Sequence, residues 1–119
     1  MEPGSTPRLW IKISLGDRGQ VGPGKIRLLQ SIAAHRSISA AARAEGMSYR
    51  RAWLLVDQMN KTFGRPVLRT HTGGNARGGA ALTELGAEVV ARYEALLRLA
   101  QDQSAETLEH FAALIRTGD

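Results

Sequence analysis

The chain has 119 residues, enough for one domain around one core and too few for a multi-domain enzyme. Hydrophobic residues make up 43% and charged residues 23%, no apolar run approaches the roughly 20 residues that span a bilayer, and there is no cysteine. A membrane protein, a fully disordered chain, a disulfide scaffold and a thiolate metal centre are thereby excluded. The net charge of +5 is unevenly spread: residues 1–79 hold thirteen basic against four acidic side chains, or +9, and residues 80–119 hold three against seven, or −4.

Residues 1–7, with Pro3, Gly4, Ser5 and Pro7 and no periodicity, read as a disordered tail. No basic segment followed by an apolar stretch is present there, so the expected location is the cytoplasm. Leu9, Ile11 and Ile13 alternate with Trp10, Lys12 and Ser14, the period of a half-buried strand. Gly16-Asp17-Arg18-Gly19 then reads as a turn that returns a short strand through Gln20 and Val21. Gly22-Pro23-Gly24 breaks the chain, and Ile26, Leu28, Leu29, Ile32 and Ala33 predict a first helix ending near His35-Arg36. Ser37 and Ser39 are both candidate N-caps for a short helix over Ala40 to Glu45, and Gly46 suits its C-terminus. Ser48 caps a third helix over about 49–61, with Ala52, Leu55, Val56 and Met59 at i, i+3, i+4 and i+7.

Gly64-Arg65-Pro66 ends that helix, Val67 to His71 reads as a strand, and residues 73–79, with four glycines, form a connection before Ala80 to Leu82 return. This is a strand–loop–strand wing. Thr83 is an N-cap with Glu84 in the first turn, and Leu85, Val89, Tyr93, Leu96 and Ala100 share a long helix. Ser104 either caps a last helix carrying Leu108, Phe111, Ala112 and Ile115, or lies inside one continuous helix.

Two helices joined by Gly46-Met47-Ser48 carry a helix-turn-helix signature, because a small residue at the bend lets the second helix cross the first closely. The apolar stripe of the third helix faces the core and leaves Tyr49, Arg50, Trp53, Asp57 and Asn60 on other faces, with Arg51 flanking. Arg50 and Arg51 at its start are placed to bond guanine O6 and N7 or a phosphate, while Ser48 and Tyr49 donate to the backbone. Trp53 is expected to pack between helix and wing, and Asp57 to pair with an arginine. Arg65, Arg69, His71 and Arg77 surround the Gly-rich loop, which suits a wing laid on the backbone or minor groove; a disordered hairpin tip is the plain alternative. A nucleotide-phosphate loop is excluded because the Gly-Lys-Ser/Thr element is missing. His35, His71 and His110 lie in separate elements, and no catalytic or metal-ligand spacing is present, so neither enzyme chemistry nor a cofactor is expected. Arginine outnumbers lysine 13 to 3, and its planar fork matches phosphates, although a solvated charged face would share this composition.

Ser37-Ile38-Ser39, Ala41-Ala42, Gly46 to Trp53, Asp57, Met59-Asn60, Arg69, Thr72-Gly73-Gly74, Gly78-Gly79-Ala80 and Leu82-Thr83 with Gly86 resemble the N-terminal DNA-binding domain of ModE-type molybdate-responsive transcription regulators, kin to the LysR-type winged helices. The most specific pieces are the Ser-Tyr-Arg-x-Ala-Trp run with Met-Asn and the Thr-Gly-Gly wing. The resemblance covers roughly residues 9–100. It implies a winged helix-turn-helix that dimerises through its long helix and binds a palindromic operator, with Ser48, Tyr49, Arg50 and Arg51 opening the recognition helix and Arg77 in the wing. Such regulators continue into molybdate-binding domains, whereas this sequence stops at Asp119, so the expectation is a stand-alone chain without that sensor that does not itself bind molybdate.

The expected architecture is thus mainly α with small β, divided into the tail, a winged helix-turn-helix over residues 8–83 and dimerisation helices over residues 84–116. The expected function is sequence-specific binding of double-stranded DNA by a homodimeric transcription regulator. The expected contacts are Ser39, Ser48, Tyr49, Arg50, Arg51, Arg69 and Arg77 on DNA, and Leu85, Val89 and Leu96 in the dimer seam. A winged-helix protein-interaction module and a small oxyanion-binding protein are the rivals; the +9 front weighs against the first, and the want of converging side chains against the second.

Overall fold

The computed structural model describes residues 6–71 and 79–116. In chain order it contains β1 (Ile13–Ser14), a 3-10 turn (Gly16–Arg18), β2 (Gln20–Val21), α1 (Pro23–His35), α2 (Ile38–Ala44), α3 (Tyr49–Phe63), β3 (Leu68–His71), β4 (Gly79–Leu82), α4 (Glu84–Gln103) and α5 (Ala105–Ala112). This is a winged helix-turn-helix with an N-terminal hairpin and a long C-terminal helix. Most of the tail assigned to residues 1–7, and the wing tip with Arg77, lie outside the described residues. No described helix is long and apolar enough to cross a membrane.

The alternation over residues 9–14 holds as alternating exposure, but only Ile13 and Ser14 are paired, opposite Val21 and Gln20. The returning strand is two residues long, so the ladder has no partner for Leu9 to Lys12. That segment is instead strapped to α4: Tyr93 Oη donates to the Ile11 carbonyl at 2.6 Å, and Leu9 N–H donates to Gln101 Oε1 at 2.9 Å. Burial pushes the Tyr93 phenol pKa up, which keeps the donating proton in place.

The core joins Leu28, Leu29 and Ile32 of α1, Ile38, Ala41 and Ala42 of α2, Ala52, Leu55, Val56 and Met59 of α3, and Val67, Leu68 and Ala80 around the wing. The alanines of α2 let α1 and α3 approach it closely, which is why so short a helix is held. Ser37, rather than Ser39, caps α2, accepting from Ala40 N–H at 3.1 Å; Ser39 is one residue inside the helix and exposed. Gly46 takes φ +68° after α2, a conformation that would strain a residue with a Cβ, and the chain turns there into Ser48. Helix α3 runs two residues past its expected end, because Arg18 of the 3-10 turn donates to the Thr62 carbonyl at 3.2 Å and satisfies its last turn. Ser104 breaks α4 from α5, yet its hydroxyl donates back to the Ala100 carbonyl at 2.7 Å and makes no side-chain cap to α5.

In the wing, Leu68 pairs Leu82, Arg69 pairs Ala81, Thr70 pairs Ala80 and His71 pairs Gly79. The inner strand is tied to the α1–α2 corner by Ala80 N–H donating to the Arg36 carbonyl at 3.0 Å. At its base, Asn60 Oδ1 accepts from Val67 N–H at 2.8 Å, Thr83 N–H donates to the Val67 carbonyl at 3.0 Å, and the Thr83 hydroxyl donates to the Pro66 carbonyl at 2.8 Å while accepting from Gly86 N–H at 3.1 Å. Helix α4 passes so close that a Cβ on Gly86 would lie 2.2 Å from the Val67 oxygen. Replacing Gly86 with alanine must move α4 or the wing base, and should cost about 1–3 kcal/mol, lowering Tm by several degrees. Gly24→Ala, with no atom near its Cβ, should leave Tm unchanged or slightly higher. Thermal denaturation of the two variants checks this; equal Tm values would overturn the close contact.

Candidate nucleic-acid interface

Helix α3 is amphipathic, and at 100° per residue its surface divides into three strips. Ala52, Leu55, Val56, Met59 and Thr62 point inward and are buried. Opposite them stand Arg50, Leu54, Asp57 and Lys61, all exposed. On the flank towards the wing lie Tyr49 and Trp53, with Asn60 reaching Val67; on the flank towards the hairpin and α1 lie Arg51 and Gln58.

Ser48 starts the helix, its Oγ accepting from Arg51 N–H at 3.0 Å. That bond fixes the first turn and leaves the hydroxyl proton to donate elsewhere. Tyr49 and Trp53 meet edge to face, ring centroids 6.4 Å apart, and are 54% and 37% exposed. Trp53 is thus partly exposed on that flank, its ring set edge to face against Tyr49. Asp57 pairs with Lys61 at 3.1 Å, one turn along the same helix, not with an arginine. Ser48, Tyr49, Arg50 and Arg51 thus come together on one exposed helical turn. Arg69 stands exposed on β3, Ser39 is exposed in the first turn of α2, and Arg77 lies outside the described residues.

Leu54 was missed by the reading of motifs. It is 46% exposed, 200° around the helix from Ala52, and the helical wheel alone puts it opposite the core stripe. An exposed leucine between Arg50 and Lys61 offers an apolar contact of the kind that meets a thymine methyl.

On the far side of the molecule, Leu85, Val89 and Leu96 line one open apolar groove of about 360 Å³ with Ile13, Leu15 and Phe63. Leu85 and Val89 also pack on the chain's own core, while Leu96 is 40% exposed. Beyond them Leu99, Phe111, Leu114 and Ile115 are 58–76% exposed. Among the described residues no group of histidine, aspartate and glutamate is placed to hold a metal ion.

The bacterial regulatory helix-turn-helix protein family of the lysR type matches residues 24–87, more than half of the chain. The molybdenum-pterin-binding protein MopB of Rhodobacter capsulatus is 43% identical over 77 residues, 65% of this chain and 28% of that protein. The DNA-binding transcriptional dual regulator ModE of Escherichia coli K12 is 37% identical over 79 residues, 66% of this chain and 30% of that protein. The chain therefore spans less than a third of the length of these relatives. Among solved structures, VV2_1132, a LysR family transcriptional regulator, matches with a TM-score of 0.52 at 20% identity, covering 69% of this chain and 26% of that one, which speaks for the fold. Since the family match runs from the first turn of α1, through the helix-turn-helix and the wing, into the first turn of α4, the chain belongs to the lysR family of bacterial regulatory helix-turn-helix proteins, regulators rather than enzymes.

Proposed function

We propose that the chain binds double-stranded DNA as part of a homodimeric transcription regulator, with α3 in the major groove and the Gly-rich wing on the backbone or minor groove. The observation that carries this reading is the exposed strip of α3, where Arg50 stands opposite the buried stripe at the start of a helix that Ser48 caps. A residue there reaches furthest from the core and meets base edges first. Tyr49 and Ser48 beside it, and Arg69 on β3, are donors suited to phosphate oxygens, which set position and not sequence. The excess of positive charge over residues 1–79 supplies the long-range attraction.

The groove lined by Leu85, Val89 and Leu96 supports the dimer. Helix α4 has 20 residues, about 30 Å at 1.5 Å each, and its outer turns leave Leu96 40% and Leu99 58% exposed. Two copies joined there by a two-fold axis would present two recognition helices to a palindromic site. We further hold that molybdate is not a ligand of these residues, because the back of the molecule carries Glu84, Glu88, Glu94, Asp102, Glu106 and Glu109, which repel a dianion.

Selection of retained fragments from genomic DNA by mobility shift yields the operator for the tests. Arg50→Ala should lose about 1–3 kcal/mol on the operator and relax preference at one position, whereas Arg69→Ala should weaken operator and random duplexes alike. Binding titrations on both duplexes separate the two, and unchanged operator affinity in Arg50→Ala would sink the recognition-helix assignment. Leu96→Glu should dissociate the dimer, since it sets a charge in an apolar seam, while leaving the monomer folded. Sedimentation at micromolar concentration reads this, and a monomeric wild type would defeat the proposal. Calorimetry with micromolar molybdate should show no heat of binding; saturable heat would reveal an oxyanion site in this chain.

A further inference from the structure

We infer that a second contact with nucleic acid lies beside α3, in a basic groove between the N-terminal hairpin and the start of α1, and that it takes a phosphodiester of the strand flanking the groove α3 reads. This rests on the proposed DNA binding and extends it from Arg51 to Lys12 and Lys25, which no motif singled out.

The groove has a volume of about 460 Å³ and is open to solvent. Three different elements each turn one cation towards it: Lys12 from the segment before β1, Lys25 from the first turn of α1, and Arg51 from α3. Gln20 and Gln58 add neutral polar groups, Trp10 stands at the rim with the Arg8 guanidinium 5.5 Å from its ring centroid, and no lining residue is acidic. Among the described residues none of the three cations makes an ion pair, although Asp57–Lys61 and Glu88–Arg92 show that the surface forms such pairs where carboxylates are at hand. The three repel one another: the Lys25 pKa is lowered first by burial and then by Lys12 and Arg51. One of Lys25's protons is spent on the Gln20 carbonyl at 2.8 Å, which aims the ammonium and leaves two donors.

Like charges gathered without counter-charge weaken a fold, and the arrangement becomes favourable when an anion joins them. The groove opens beside the DNA-facing strip, because Arg51 and Gln58 line it from the flank of α3. A duplex seated on Arg50 carries its own phosphates past that flank, with one charge about every 1.7 Å of axis, so the anion delivered there is a backbone phosphate.

The test uses the full chain carrying Lys12→Gln and Lys25→Gln together, titrated onto operator and random duplexes of about 30 base pairs across a salt series. The expected result is a loss of roughly tenfold on both duplexes at low salt, an unchanged ratio between them, and a slope of log K against log salt shallower by about one to two. Arg98→Gln with Arg116→Gln removes two charges from the back of the chain and should leave the slope as in the wild type. An unchanged slope in the lysine variant, or an equal fall in the arginine control, overturns the groove while the wild type still binds. Wild-type failure on every duplex overturns the DNA reading itself. Calorimetry with inorganic phosphate distinguishes the remaining source: saturable binding lost in the lysine variant, with the DNA slope unmoved, would make this a free-oxyanion site. Lys12→Gln alone, at an exposed position, serves if the double variant shows a lowered Tm.

Discussion

Val67 is the point through which α3, the wing strands and α4 are held together. It is fully buried, its N–H is taken by Asn60 at the end of α3, its carbonyl by the N–H of Thr83 at the start of α4, and that same oxygen leaves no room for a side chain on Gly86. An unmade bond at such a place costs the full desolvation of the orphaned group, about 1–3 kcal/mol, so the three elements share one arrangement or lose it together. The orientation of α3 relative to α4 depends on this joint.

The charges follow a division of labour. Where a cation serves the fold, it has a partner: Arg18 holds the last carbonyls of α3, and Arg27 lies 3.7 Å from Glu45. Around Lys12, Lys25 and Arg51 no carboxylate lines the groove, and the resulting repulsion is borne by a core that leaves no buried side-chain polar atom unpartnered among the described residues. Stability given up at such a surface becomes attraction for a polyanion.

The C-terminal helices play a different part. The first turns of α4 belong to the core through Leu85, Val89 and Val90, and Tyr93 strengthens that docking by holding the N-terminal segment through Ile11. Leu97 and Gln101 still meet the hairpin side of the body, whereas Leu99 and the apolar residues of α5 stand exposed, and the molecule reaches 60 Å in its longest direction against 20 Å in its shortest. The segment leading into the hairpin that borders the basic groove is thus fastened to the helix proposed for the dimer seam.

Much of this was legible in the order of residues because helix periodicity, caps and turns are local. The stripe Ala52, Leu55, Val56 and Met59, the caps Ser48 and Thr83, and the left-handed Gly46 each follow from neighbours within a few positions, and each is found where periodicity and stereochemistry put it. The gathering of Ser48 to Arg51 on one exposed helical turn follows for the same reason. What local order could not decide was which of two serines caps α2, since both have the chemistry and only the corner bonded to the wing strand selects Ser37. Nor could it assign Asn60 and Gly86, which belong to the family-like pattern, to the joint at Val67, because that contact joins residues 7 and 19 positions away from it. The gathering of Lys12, Lys25 and Arg51 is of the same kind. Lys12 and Lys25 are ordinary surface cations in the sequence and Arg51 reads only as part of the third helix; a shared groove exists only because the hairpin, α1 and α3 close on one core, a long-range packing result that the spacing of the three residues does not encode.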